Sequence, residues 1–148
     1  MSGYFDSSAL VPIYVPEEFS ARARREIRRD RHAPFTAVHD LEVRNALRLL
    51  CGRKLITVAE LRGAVAHVEE DLEARRLVAT ALDPFRLFER SLSLSAEHST
   101  ELLCRTLDIL HVAAALELRA RRFVSADDRQ LALARATGLE AVDIKRRR

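Results

Sequence analysis

Three observations on this 148-residue sequence predict a layered α/β fold with a mainly parallel sheet. Short apolar runs ("GYFD", "HAPFTAV", "FVSAD", "LEAVDI") alternate along the chain with longer segments whose apolar residues recur at helical spacing. That alternation is the pattern of strands connected through helices. The apolar fraction is 48% with only 4 Gly and 4 Pro, which suits a folded, helix-rich chain and excludes a disordered one. The length fits one domain with a substantial core, so residues 1–148 are expected to form a single domain with a basic tail at about 145–148.

Each element follows from local signals. Residues 3–6 are the first predicted strand, and "SSALVPIYV" a helix behind a Ser cap, kept short or kinked by Pro12. "PEEFSARARREIRRD" reads as a helix with Pro and two acids at its start and arginines near its end, as the helix dipole favours. "HAPFTAV" is a second strand ending near Thr36, followed by a helix from about Val38 to Leu50 closed by Gly52. Thr57 and Glu60 have capping-box spacing and open a long amphipathic helix over "TVAELRGAVAHVEEDLEARRLVATAL". "DPFRLFERSLSLSAEHSTELLCRT" predicts one or two short helices. "LDILHVAAALELRARR" is apolar on most of its surface and is expected to be a largely buried helix. "FVSAD" is the third strand, "DRQLALARATG" a helix ending at Gly138, and "LEAVDI" the last strand.

Charge and cysteine usage bound the setting. The formal net charge is +3 and the pI about 9.3. Arginine dominates the basic residues, concentrated at Arg24-Arg25, Arg28-Arg29, Arg75-Arg76, Arg121-Arg122 and the Lys145–Arg148 tail; this permits an anionic partner. No stretch approaches the roughly eighteen apolar residues of a membrane span, and the opening residues lack a signal-peptide pattern. Cys51 and Cys104 sit on helical patterns without a close partner, forming neither a zinc site nor a disulfide framework. A cytoplasmic protein with no membrane association is therefore expected.

Four carboxylates stand where the pattern calls for apolar side chains. Asp6 ends the first apolar run, Glu42 lies on the apolar stripe of its helix, Asp108 heads the most buried helix, and Asp127 follows "FVSA". Each alone reads as a helix cap, a first-turn acid or half of an ion pair. Together they fall at strand ends and helix starts, the edge of a parallel sheet that commonly holds ligands. Converging carboxylates would repel one another and raise each other's pKa unless a cation neutralised them. A set of oxygen ligands without His or Cys favours Mg²⁺ or Mn²⁺ over zinc, and such a site suits metal-assisted phosphodiester cleavage.

The same residues carry a family resemblance. "YFDSSALV" resembles the opening block of PIN-domain ribonucleases, with an acid at Asp6 and a serine at Ser8. "HDLEVRNAL" resembles the second block, with its acid at Glu42. "RTLDILHVAAALEL" matches the third, with Asp108 preceded by Arg105 and followed by His111. "FVSADDRQLALARATGL" resembles the last, with Ser125 and Asp127 in a hydroxyl–x–Asp arrangement; this spacing favours Asp127 over Asp128 as the acid facing a metal. The blocks run from residue 4 to 139, and their order is similar to that of VapC-like toxins of bacterial toxin–antitoxin pairs.

The resemblance implies a PIN-like three-layer α/β/α fold and an endoribonuclease that hydrolyses RNA with Mg²⁺- or Mn²⁺-activated water held by Asp6, Glu42, Asp108 and Asp127. Ser8 and Ser125 would orient the acids. His111 reads as a packed core histidine sooner than a catalytic base, and Arg105 as either a phosphate contact or a partner of Asp108. A cognate small VapB-like antitoxin, a toxin homodimer and a toxin–antitoxin hetero-oligomer are implied partners. A non-catalytic PIN-like module binding RNA or protein is the alternative, although such a module would be expected to lose acids. A phosphatase of the haloacid-dehalogenase type would want a second Asp two residues after the first, where this chain has Ser8.

Overall fold

A computed structural model describes residues 3–146. The order is β1 (Gly3–Phe5), α1 (Ser7–Tyr14), α2 (Ser20–Ile27), β2 (Ala33–Phe35), α3 (Ala37–Gly52), α4 (Val58–Glu73), β3 (Leu77–Ala79), α5 (Pro84–Leu102), α6 (Thr106–Glu117), β4 (Arg122–Ser125), α7 (Asp128–Ala136) and β5 (Glu140–Asp143). The strands pair in parallel, in the orders β1-β4-β5 and β2-β3. Tyr4 faces Phe123 and Phe5 faces Val124 across the β1–β4 ladder.

Successive strand residues enter opposite cores, as the pleat requires. Phe5 and Val124 pack with Leu10, Val43, Leu47 and Val68 on the side of α1, α3 and α4. Tyr4 and Phe123 pack with Leu94, Ile109, Val112 and Leu133 on the side of α5, α6 and α7. The sheet is thus covered on both faces, the three-layer α/β/α arrangement of a buried parallel sheet. Each fully buried Leu or Phe side chain contributes roughly 1.5–3 kcal/mol of transfer free energy.

β1 and β2 are neighbours joined through His39, on the first turn of α3. Its Nδ1 accepts the Thr36 amide at 3.0 Å, so its protonated Nε2 donates to the Phe5 carbonyl at 2.8 Å. Arg122 at the start of β4 fastens α2 by pairing with Glu26 and, at 3.3 Å, with Asp30.

Several expectations need correction. Helix α1 is capped by Asp6, not by serine: its carboxylate accepts the Ala9 amide at 3.1 Å. Helix α2 begins at Ser20 instead of Pro16, because the Ser20 hydroxyl takes the Glu17 amide at 2.7 Å and donates to the Val15 carbonyl. Gly52 lies inside the last turn of α3, and the left-handed residue beyond it is Lys54. The segment expected as one long helix over 57–82 divides. Arg75 adopts a left-handed backbone (φ 57°) after α4, and the chain returns as β3 beside β2. The segment read as one or two short helices is a single 19-residue helix, α5, capped by Asp83. Of the basic tail, Arg147 and Arg148 lie outside the described residues; Lys145 pairs with Asp128 and Arg146 with Asp143. Among the described residues no helix is long and apolar enough to cross a membrane.

Candidate active site

The carboxyl ends of β1 and β4 meet the amino ends of α1, α6 and α7, and three of the four acids are placed by capping those helices. Asp127 caps α7 through Oδ1, which accepts the Arg129 and Gln130 amides at 2.9 and 3.1 Å. Asp108, in the first turn of α6, accepts the Arg105 amide at 2.8 Å through Oδ2. Asp6 uses Oδ1 on α1 in the same way. Each cap orients one carboxylate at the positive end of a helix dipole. Asp6, Glu42, Asp108 and Asp127 line one cavity of about 450 Å³, together with Ser8, Arg105 and Gln130. A larger cavity of about 560 Å³ opens around Arg29, Arg31, His32 and Arg75. Volume alone does not locate chemistry, and the smaller of these two cavities is the one lined by four carboxylates.

Asp6 is buried, and its hydroxyl partners come from α1 and from the end of β4. Ser8 donates to its two oxygens at 2.8 and 2.9 Å while accepting the Ala126 amide at 2.8 Å. Ser125 donates to Oδ2 at 2.9 Å and accepts the Asp127 amide at 2.8 Å. Burial pushes the Asp6 carboxyl up to about 6, against the pull of His111 and of the two hydroxyls.

Glu42 sits mid-helix on α3 and has no cap to hold it. Its Oε2 meets His111 Nε2 at 2.5 Å, and His111 Nδ1 meets the Tyr4 hydroxyl at 2.8 Å. His111 is fully buried, which agrees with a packed core histidine, yet it reaches the site through Glu42. Arg105 is two-thirds exposed at the rim, 3.7 Å from Asp108 and 3.9 Å from Asp127. Asp128 points away: it is exposed and pairs with Lys145 at 2.5 Å, leaving Asp127 as the acid on the cavity.

Tyr4 and Gln130 escaped the sequence reading. Tyr4 looked like an ordinary strand aromatic; its alternation with Phe5 places it on the α6 face, but no spacing rule pairs it with His111. Gln130, three residues after Asp127, is buried and its Nε2 lies 3.4 Å from Asp108 Oδ1. A third cavity, of about 430 Å³, shares Ser8 and Glu42 with the acid-lined one and adds the apolar wall of Val11, Pro12, Phe19, Leu49 and Leu50, with Arg53 alongside.

The donor set fits a hard divalent cation in kind, since every acid on the cavity offers carboxylate oxygen and none competes with thiolate. The raised Asp6 fits as well, because a nearby cation would offset its burial. Among the described residues, as they stand, no three His, Cys, Asp or Glu side chains are grouped closely enough to hold an ion.

The chain has a parallel α/β fold of the layered class, with four acids at the carboxyl edge of its strands, where such folds commonly bind ligands. The PIN domain family model matches residues 3–136, and the chain belongs to that family. Three solved structures share the fold. PAE2754 from Pyrobaculum aerophilum has 18% identity and a TM-score of 0.65, covering 98% of this chain and 90% of its own. FitAcB from Neisseria gonorrhoeae has 13% identity and a TM-score of 0.61, with coverage of 98% and 99%. VapBC-1 from nontypeable Haemophilus influenzae has 11% identity and a TM-score of 0.61, with coverage of 99% and 100%. No curated protein resembles the sequence closely enough to count as a match.

Proposed function

We propose that this chain, a single domain over 1–148, is a metal-dependent endoribonuclease acting as the toxin of a cytoplasmic toxin–antitoxin pair. The observation that carries the reading is the meeting of Asp6, Glu42, Asp108 and Asp127, from four separate segments, on one cavity. Mg²⁺, or Mn²⁺ in its place, supplies activation of water and a clamp on the phosphodiester when bound. The four acids would hold that ion. Ser8 and Ser125 fix the Asp6 carboxylate, and Arg105 at the rim meets a backbone phosphate. The adjoining apolar cavity beside Phe19 suits an unstacked base of single-stranded RNA.

The partner reading rests on the resemblance of the four sequence blocks to VapC-like toxins, and the shared fold with FitAcB and VapBC-1 supports it. It comprises a small VapB-like antitoxin, a toxin homodimer and their hetero-oligomer. Exposed apolar residues on α5 (Phe85, Phe88, Leu92) are compatible with a protein partner.

The test is cleavage of a defined single-stranded RNA by purified protein with Mg²⁺ or Mn²⁺ and with chelator. Cleavage should require the ion and fall at least about a hundredfold in Asp6→Asn and Asp108→Asn. Undiminished cleavage by both variants would mean the activity belongs to something else.

A further inference from the structure

We propose that Tyr4 is a positioning residue for the acidic site: its buried hydroxyl, bonded to His111 Nδ1, turns the imidazole so that Nε2–H holds the Glu42 carboxylate against the cavity. Three of the four acids are fixed by helix amino termini, but Glu42 lies on the second turn of α3, where no free amide can reach it. Its support comes from the opposite face of the sheet, through His111 on α6.

One direction follows from elementary donor counting: a carboxylate only accepts, so His111 Nε2 carries the proton that faces Glu42. The Tyr4 hydroxyl meets Nδ1 on the other side of the ring at 2.8 Å. Neither ring can swing away. Tyr4 stacks on Phe123 with centroids 5.5 Å apart and lies 4.7 Å from His39, and His111 packs edge-on to His39 at 5.2 Å. Tyr4 and His111 are both fully buried. Tyr4 thereby acts on the site without reaching the cavity, and a Phe at this position would keep the packing and lose only the bond.

The test has two halves, and only the second rests on the proposed metal-dependent function. In the metal-free full chain labelled with ¹⁵N-histidine, NMR should show His111 with a proton on Nε2, hydrogen-bonded to Glu42. In Tyr4→Phe the Nδ1 resonance should shift, because its hydrogen-bond partner is gone. Wild-type His111 without a proton on Nε2, or an Nδ1 resonance unmoved in Tyr4→Phe, overturns the proposal whatever the protein does with metal. The second half measures Mn²⁺ affinity, which Tyr4→Phe should weaken about tenfold. The loss should vanish when Tyr4→Phe is combined with Glu42→Gln, because it acts through Glu42. An unchanged affinity, or an equal loss in the Glu42→Gln background, overturns the proposal. Absence of Mn²⁺ binding by the wild type counts against the nuclease reading and leaves the tautomer result to decide the role of Tyr4. Should Tyr4→Phe fail to fold, the wild-type tautomer decides.

Discussion

Asp6 and His39 sit on either side of the Phe5 carbonyl and respond to pH in opposite directions. Asp6 binds its proton more tightly folded, at about 6, than an ordinary carboxyl does near 4. Its contribution to stability is therefore full at low pH and is lost as pH rises from about 4 through about 6, a change of about 3 kcal/mol. His39 behaves inversely. Burial lowers it to about 3, so its contribution is present above about 6.5 and fades as pH falls, by about 2 kcal/mol at pH 5. In metal-free protein, Asp6→Asn should remove the loss seen on the alkaline side of pH 4, and His39→Gln the loss seen on acidification. Denaturant unfolding between pH 4 and 8 measures both, and curves parallel to wild type for the two variants would refute the assignments. The same residues explain why a cap and a site were so hard to separate by sequence. Asp6 has the cap signature because it is the cap, and the hydroxyls that make it more than a cap arrive from Ser8 and, across the sheet, Ser125.

Elements were legible where one local signal dominated and obscured where two competed. Thr57 and Glu60 marked the start of α4 correctly, with Thr57 Oγ1 accepting the Glu60 amide at 3.1 Å. The end of α4 was invisible because "RRLVATAL" prolongs the apolar spacing while the actual stop is a left-handed arginine, a conformation composition does not announce. β3 is three residues long and exists by virtue of pairing with β2, a tertiary contact. The order of blocks picked out four acids that line one cavity, whereas Tyr4 and Gln130 depend on packing between α6, α7 and the sheet. β1 supplies a prediction at this scale. A Cβ added at Gly3 would collide with the Asp30 carboxylate, which is held by Arg122, and would stand 2.9 Å from the Phe5 ring. Gly3→Ala should destabilise the chain by about 1–3 kcal/mol through the displaced ion pair and overpacked strand. Combining it with Asp30→Ala should recover part of the loss by opening space. A double variant no better than the sum of its single changes would show that the clash is not the cause.

Over the whole molecule, many of the concentrated arginines serve the fold. Arg122 clamps α2, Arg76 pairs with Asp71, and Arg44 links α3 to Glu69 on α4, whereas Arg105 remains exposed at the cavity rim. Folding gathers negative charge at the other side of this ledger: residues 6, 42, 108 and 127 are brought to one cavity. Helix amino termini offset part of the repulsion, each by roughly 0.3–1 kcal/mol, less than the cost of burying Asp6. A divalent cation binding only the folded chain would supply the remainder, and linkage sets the size of the effect. At a hundred times its dissociation constant such an ion stabilises by about 2.7 kcal/mol. For a chain of this length that corresponds to a rise in Tm of about 5–10 °C. Thermal unfolding with increasing Mn²⁺ or Mg²⁺ should show this rise, and Asp108→Asn should lose most of it while keeping a cooperative transition. Because Asp6→Asn also relieves the burial of a charge, that variant should start from a higher metal-free Tm at pH 7.5 and gain little from the ion. A rise of equal size in both variants, or one reproduced by monovalent salt at matched ionic strength, would place the ion elsewhere on the molecule and remove the acid cavity as its site.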